Sequence, residues 1–192
     1  AHILTMRRVF YNPAIFSIGL MLCFALSGCD VLYRLLDEEG AQEKALIGEI
    51  VPHEKNAIVE EAQALLYLYG YNTGNNDGIL GLRTRNAIEQ FQKGSGLKPT
   101  RRIDQATWKK LNQFKENKLV IKGQLNVRLI QTILKEAGYN PGTVDGNMGE
   151  KTKSAIRKFQ ERHGLKADGK IGYQTLNKLA TYVTAESQLE QR

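Results

Sequence analysis

Laid over Gln131, Gln63 brings residues 63–111 into register with residues 131–179 without a gap, and about two-fifths of the positions are identical. Gly70-Tyr71-Asn72 recurs as Gly138-Tyr139-Asn140, Asp77-Gly78 as Asp145-Gly146, and Gly96-Leu97-Lys98 as Gly164-Leu165-Lys166. Thr84, Ala87, Ile88, Phe91 and Gln92 recur as Thr152, Ala155, Ile156, Phe159 and Gln160. A fixed internal period outranks local propensity in deciding architecture. With two copies, the pattern calls for two small domains in tandem rather than a solenoid.

Each copy reads as three helices, so the expected fold class is all-α, two tandem three-helix bundles over 57–117 and 125–185. In the second copy Asn126 is placed to cap a helix over Val127–Ala137, with Val127, Ile130, Ile133, Leu134 and Ala137 at helical spacing and Gly138 as its stop. A loop rich in Gly, Pro, Asn and Asp follows from Tyr139 to Gly149. A second helix is expected over Glu150–His163, with Thr152, Ala155, Ile156 and Phe159 on one stripe, and a third over Tyr173–Ala185. The first copy gives Ala57–Tyr69, Leu82–Lys93 and Gln105–Glu116, the last capped by Asp104. Units this small are near the lower limit for a self-sufficient core, so packing between them is expected to matter. Leu119, Val120 and Ile121 in the short link are candidates for that packing.

Ahead of the repeats lies a different kind of text. From Met6 the chain runs through Arg7-Arg8 to a thirteen-residue weakly polar to apolar stretch, Ala14–Leu26, and then Leu26-Ser27-Gly28-Cys29. Thirteen residues suit a secretory h-region, since a spanning helix needs about 20. The four residues ending in Cys29 resemble the lipobox of bacterial lipoproteins. That resemblance implies removal of residues 1–28, lipidation at Cys29 and anchoring to a membrane, facing the periplasm. Asp30 after the cysteine resembles an inner-membrane retention signal. Residues 29–56 then read as an acidic, partly helical, solvated spacer, and 186–192 as a tail.

Charge follows the same division. Residues 30–61 carry nine acidic and three basic groups, whereas 62–192 carry 22 basic and 11 acidic, a net of +11 within a whole-chain +7. A basic body fits an anionic partner. An exported chain does not meet cytoplasmic nucleic acid, so nucleic acid is not the expected partner.

The second copy contains Leu134, Gly138-Tyr139, Asp145 through Gln160, Gly164-Leu165, Asp168-Gly169-Lys170-Ile171-Gly172 and Thr175-Leu176. In that order these residues resemble the bacterial peptidoglycan-binding domain of the three-helix type. The first copy matches up to Leu97 and departs at its second turn, where Thr100-Arg101 replaces Asp-Gly and Asp104 replaces the final Gly. The resemblance covers about residues 59–182. It implies non-catalytic binding of cell-wall glycan and its stem peptides, with no cofactor, and such domains often accompany a wall hydrolase. An envelope adaptor that binds a protein through the same units is the alternative.

Candidate ligand residues are Tyr71, Asn72, Asp77 and Gln92 in the first copy, and Tyr139, Asn140, Asp145, Asn147, Arg157 and Gln160 in the second. Asn75 and Asn76 join them as loop amides. Arg83, Arg85, Lys151 and Lys153 are cations suited to stem-peptide carboxylates. Structural alternatives stay open: Asp77 and Asp145 as turn acceptors, Gln92 and Gln160 as hydrogen-bond partners beside the core, and Tyr71 and Tyr139 as packing rings. No metal site is expected. An EF-hand register would put Thr73 and Thr84, or Pro141 and Thr152, where acidic ligands are required. With His53 and His163 the only histidines after Cys29, no zinc or thiol catalytic cluster can be assembled, and an enzyme is not expected.

Overall fold

A computed structural model describes residues 40–50 and 54–183. The expected signal peptide, Cys29, Asp30 and the 186–192 tail lie outside the described residues. Residues 42–50 and 54–183 fall in one compact unit, which holds both repeats.

It is built from a helical segment through residues 42–47 (α1), Ala57–Leu68 (α2), Leu82–Gly94 (α3) and Gln105–Glu116 (α4). A two-stranded hairpin, Val120–Ile121 (β1) with Gln124–Leu125 (β2), precedes Val127–Glu136 (α5), Glu150–Arg162 (α6) and Tyr173–Ala180 (α7). The fold is all-α apart from that hairpin, which pairs Val120 with Leu125 and Ile121 with Gln124.

Local chemistry sets the helix ends. Asn126 accepts from the Leu129 N–H at 3.2 Å and Asp104 from the Thr107 N–H at 2.8 Å, the caps read from the sequence. Gly70 and Gly138, at φ of 94° and 84°, turn the chain after α2 and α5. The following tyrosine N–H groups then reach back to Leu66 and Leu134 carbonyls at 2.9 and 2.8 Å. The last helix is shorter than its apolar spacing predicts. Thr181 turns the chain, its N–H and its hydroxyl both donating to the Lys178 carbonyl.

Each repeat closes over a phenylalanine. Phe91 and Phe159 are fully buried, with Ala87 and Ile88, or Ala155 and Ile156, beside them. The repeats also share a core. Tyr69 and Tyr173 lie 5.8 Å apart between ring centroids, and Tyr173 meets Phe91 edge-on at 5.2 Å and Phe114 at 5.8 Å. The Tyr173 N–H donates to the Tyr69 carbonyl at 3.1 Å, and Gln113 donates to the Tyr173 hydroxyl and to Asn177. Burial pushes the Tyr69 hydroxyl pKa well up, with Tyr173 adding to the effect, and that hydroxyl donates to the Leu111 carbonyl. In the link, Leu119 and Val120 are buried, but Ile121 is 47% exposed, because alternation along β1 turns it outward.

One expectation is corrected here. The end of the acidic segment is not a solvated spacer. Ile47 is 4% exposed in the core and Glu43 is 5% exposed. The reason lies in the first repeat, where Glu43 accepts from the Ile103 N–H at 3.0 Å and from Arg85 Nη1 at 3.3 Å while Ile47 joins the apolar core. Asn56 fastens the same stretch, donating to the Ile47 carbonyl while capping α2.

Candidate functional site: the paired turns and the cleft between repeats

The turns that carry most candidate residues are organised by buried glutamines. In α2, Gln63 Nε2 donates to Asp77 Oδ1, the Ile79 carbonyl and Thr84 Oγ1 at 3.0–3.1 Å, and its Oε1 accepts from the Gly78 N–H at 2.8 Å. Gln131 repeats this in α5 with Asp145, Asn147, Thr152 and Gly146. Gln160 in α6 holds Asp168, the Lys170 carbonyl, Thr175 and the Gly169 N–H in the same pattern. Gln92 in α3 holds Thr100, the Arg102 carbonyl, Thr107 and the Arg101 N–H. One motif therefore occurs four times, twice per repeat: a helical Gln clamps a turn and the Thr at the start of the next helix. Each glutamine places all its polar atoms, as a buried amide must.

Gln92 and Gln160, at 0% and 2% exposure, spend their amides on holding turns, although Gln160 also lines the cleft between the repeats. Asp77 and Asp145 are partly occupied by the same clamps. Each also accepts a backbone N–H two residues on, from Ile79 at 2.9 Å or Asn147 at 2.8 Å. The hydrogen bond from Gln131, then that from the Asn147 backbone, lowers the Asp145 carboxyl to about 2. Asp77 is lowered for the same reasons, the Ile79 backbone N–H leading. Both carboxyls are thereby held below the ordinary carboxylate range.

The remaining candidates are spread over the surface rather than gathered in one place. Tyr71 and Tyr139 are half-buried and pack edge-on against Phe91 and Phe159 at 5.7 and 5.5 Å. Asn72 and Asn140 are exposed and accept from the Gly74 and Gly142 N–H groups at 3.0 Å, leaving their amide nitrogens outward. Asp145 and Asn147 line a shallow pocket of about 280 Å³ with Thr143 and Lys151. Arg157 lies across the second turn, its Nη1 3.1 Å from where a Gly169 Cβ would stand.

Tyr71 faces a cleft of about 660 Å³ between the repeats. It is walled also by Tyr173, Gln174, Lys166, Asp168 and Lys170. Gln174 crosses beside it to donate to the Gly94 carbonyl at 3.2 Å. The sequence reading missed this cleft because it depends on Tyr69 and Tyr173, which are not equivalent positions in the repeat. The signal was present in Gly172, where a Cβ would lie 3.0 Å from the Tyr69 carbonyl oxygen. Among the described residues no cluster of three His, Cys, Asp or Glu side chains is positioned to hold a metal. No helix among them is long and apolar enough to cross a membrane.

Clamped surface turns, two like copies and a cleft between them define a small helical tandem-repeat module. Comparison with known families agrees: the putative peptidoglycan binding domain matches residues 55–111 and 123–179, more than half of the chain. The chain belongs to that family. It is similar to the N-acetylmuramoyl-L-alanine amidase CwlM of Mycobacterium tuberculosis, 27% identical over 145 residues. It is also similar to the zinc D-Ala-D-Ala carboxypeptidase of Streptomyces albus G, 45% identical over 58 residues. The first alignment covers 66% of this chain and the second 28%. The chain spans about a third of the amidase (36%) and about a fifth of the carboxypeptidase (22%). No solved structure matches it at the same stringency.

Proposed function

We propose that this chain binds peptidoglycan without cutting it, and that lipidation at Cys29 holds the bound wall to a membrane from the periplasmic side. The observation that carries the reading is the family unit present twice, with both copies fastened into one compact body. Tyr71, Asn72 and Asp77 on the first repeat, and Tyr139, Asn140, Asp145, Asn147 and Arg157 on the second, form the proposed contact surface. The cleft beside Tyr71 offers an aromatic wall and two lysines to a glycan carrying acidic peptides. Gln92 is buried and has no place in it, and Gln160, which lines the cleft, acts there through the turn it holds.

A non-catalytic role is supported by the extent of the family match. It falls on the repeats, while each hydrolase relative is matched over a minority of its own length. A wall hydrolase is a fitting protein partner, brought to its substrate by the tether. The adaptor reading started from a freed surface at the degenerate turn of the first repeat, but Glu43 covers part of that surface.

Sedimentation of the full chain in mild detergent with purified sacculi tests the reading at low and high salt. Retention at both is expected. Release at high salt would reduce the interaction to charge attraction, and no retention would overturn it. Mass spectrometry of the chain from membranes is expected to show acylation that Cys29→Ser abolishes.

A further inference from the structure

The first repeat already holds a carboxylate. Glu43 of α1 places Oε1 3.0 Å from the Ile103 N–H and 3.3 Å from Arg85 Nη1, with its side chain 7% exposed. Ile103 immediately precedes the cap of α4, so its N–H is one that the helix itself cannot use. The Arg85 guanidinium is braced by a second bond, to the Arg101 carbonyl at 3.1 Å. A buried, hydrogen-bonded anion on a cation and a backbone N–H is a built acceptor site.

The repeat offset carries this arrangement to the second copy. Arg85 becomes Lys153, Ile103 becomes Ile171, and Arg101 becomes Gly169. The backbone is the same there, since Gln160 clamps the Lys170 carbonyl as Gln92 clamps that of Arg102. What changes is charge. Glu89, which pairs with Lys93 and Arg101 on the first repeat, is replaced by Arg157 on the second. Among the described residues no carboxylate is bonded to the Ile171 N–H, and the carboxylate acting on the two cations is Glu150, held below its ordinary range by Lys153 first and by Arg157 more weakly. The one acidic partner of Lys153 is Glu150, at 2.9 Å and 80% exposed. The first repeat is therefore neutralised from within by a buried carboxylate, whereas on the second the two cations meet only the exposed Glu150 and the Ile171 N–H has no carboxylate.

We propose that the second repeat binds a free carboxylate of a peptidoglycan stem peptide where the first repeat holds Glu43, with Lys153, Arg157 and the Ile171 N–H as donors. The inference rests on the wall-binding reading and sharpens it: the ligand feature is a peptide carboxylate, and the second repeat is the one that takes it.

The test is a titration of the ¹⁵N-labelled full chain with a disaccharide-tetrapeptide ending in a free carboxylate, and with the same compound amidated there. The Ile171 amide resonance is expected to shift and the Ile103 resonance to stay, with the amidated compound roughly tenfold weaker. Lys153→Ala with Arg157→Glu, the second of which puts the first repeat's Glu89 in place, is expected to remove the response. Both positions are partly solvent-facing, and an unchanged circular dichroism spectrum will confirm folding. Equal binding of the two compounds, or binding with Ile171 unmoved, overturns the carboxylate site while leaving wall binding intact. Failure of the unaltered chain to retain on sacculi overturns the wall-binding reading itself.

Discussion

The second turns of the two repeats do the same work with different residues. In the second repeat Asp168 accepts the Lys170 N–H at 2.9 Å and Gly169 takes φ of 71°. The first repeat has Thr100 in the aspartate position, accepting the Arg102 N–H at 3.3 Å and donating to Asp104 Oδ2 at 2.9 Å. The carboxylate has moved four residues along, from the turn to the helix cap. Gly169 is replaced by Arg101, which holds φ of 63° without being glycine, a conformation costing about 1–2 kcal/mol for an L-residue. Compensation comes from Asn86, whose Oδ1 accepts from Arg101 Nη2 at 2.7 Å, and from Glu89 beside its Nε at 3.5 Å. Asp104 itself marks the other difference. Its counterpart Gly172 must stay small, because the Tyr69 carbonyl sits against it. The degenerate turn can carry a side chain there because no other repeat packs on it.

The two repeats are coupled at that point, and the largest predicted effect breaks the coupling. Tyr173 is 2% exposed and touches Tyr69, Phe91 and Phe114. Tyr173→Ala is expected to cost about 3–5 kcal/mol and to lower the midpoint of urea unfolding followed by circular dichroism. The unaltered chain is expected to unfold its repeats in one transition. Two separate transitions before mutation would mean that the repeats are independent after all.

Next come the clamps. Gln92→Leu and Gln160→Leu each strand a backbone N–H, a carbonyl and a threonine hydroxyl in the interior, at about 1–3 kcal/mol for each group left unpaired. Similar losses from both would establish that the degenerate turn is as firmly held as the regular one. A much smaller loss for Gln92→Leu would mean that Thr100 and Asp104 sustain that turn alone.

Smaller, and unequal, are the effects of exchanging the turn residues. Gly169→Ala forces a side chain into positive φ, 3.2 Å from the Lys153 carbonyl oxygen, and is expected to destabilise by about 1–3 kcal/mol. Arg101→Gly relieves strain but loses the Asn86 and Glu89 contacts and loosens the unfolded chain, so a net change within about 1 kcal/mol is expected. Thermal midpoints read both.

Much of this was legible because the relevant signals are local or periodic. The stripes ending in Phe91 and Phe159 gave helices α3 and α6, and the side chains of Asn126 and Asp104 gave two helix starts. The repeat identified the turns but not their fastening. Gln63 and Gln131 are polar residues on otherwise buried helix faces, and their partners lie 14 to 21 residues away. Spacing alone does not reveal that. The docking of α1 was hidden for a different reason. Glu43 reaches across 60 residues to the Ile103 N–H, and an acidic segment looks solvated until the donor that binds it is known. The candidate surface was legible in part. The asparagine loops are exposed where expected, whereas the cleft arises from Tyr69 and Tyr173, where the repeats are not alike.

The smallest effect concerns the first turns, where the repeats agree in structure and differ in degree. Asp145 is held at about 2 against an ordinary 3.8, by Gln131 first and the Asn147 backbone second. Asp77 is shifted the same way by the Ile79 backbone and Gln63. A carboxyl whose folded pKa lies below its unfolded value stabilises the fold above the unfolded pKa. That contribution fades as pH falls toward the folded one. The Asp145 contribution is therefore whole above about pH 4 and lost as pH falls to about 2. Carboxyl carbon shifts followed by NMR are expected to show Asp145 still ionised at pH 3. An ordinary titration near 3.8 would mean that the Gln131 clamp opens in solution, and the second repeat's first turn would then be free to rearrange around a ligand rather than being preformed for it.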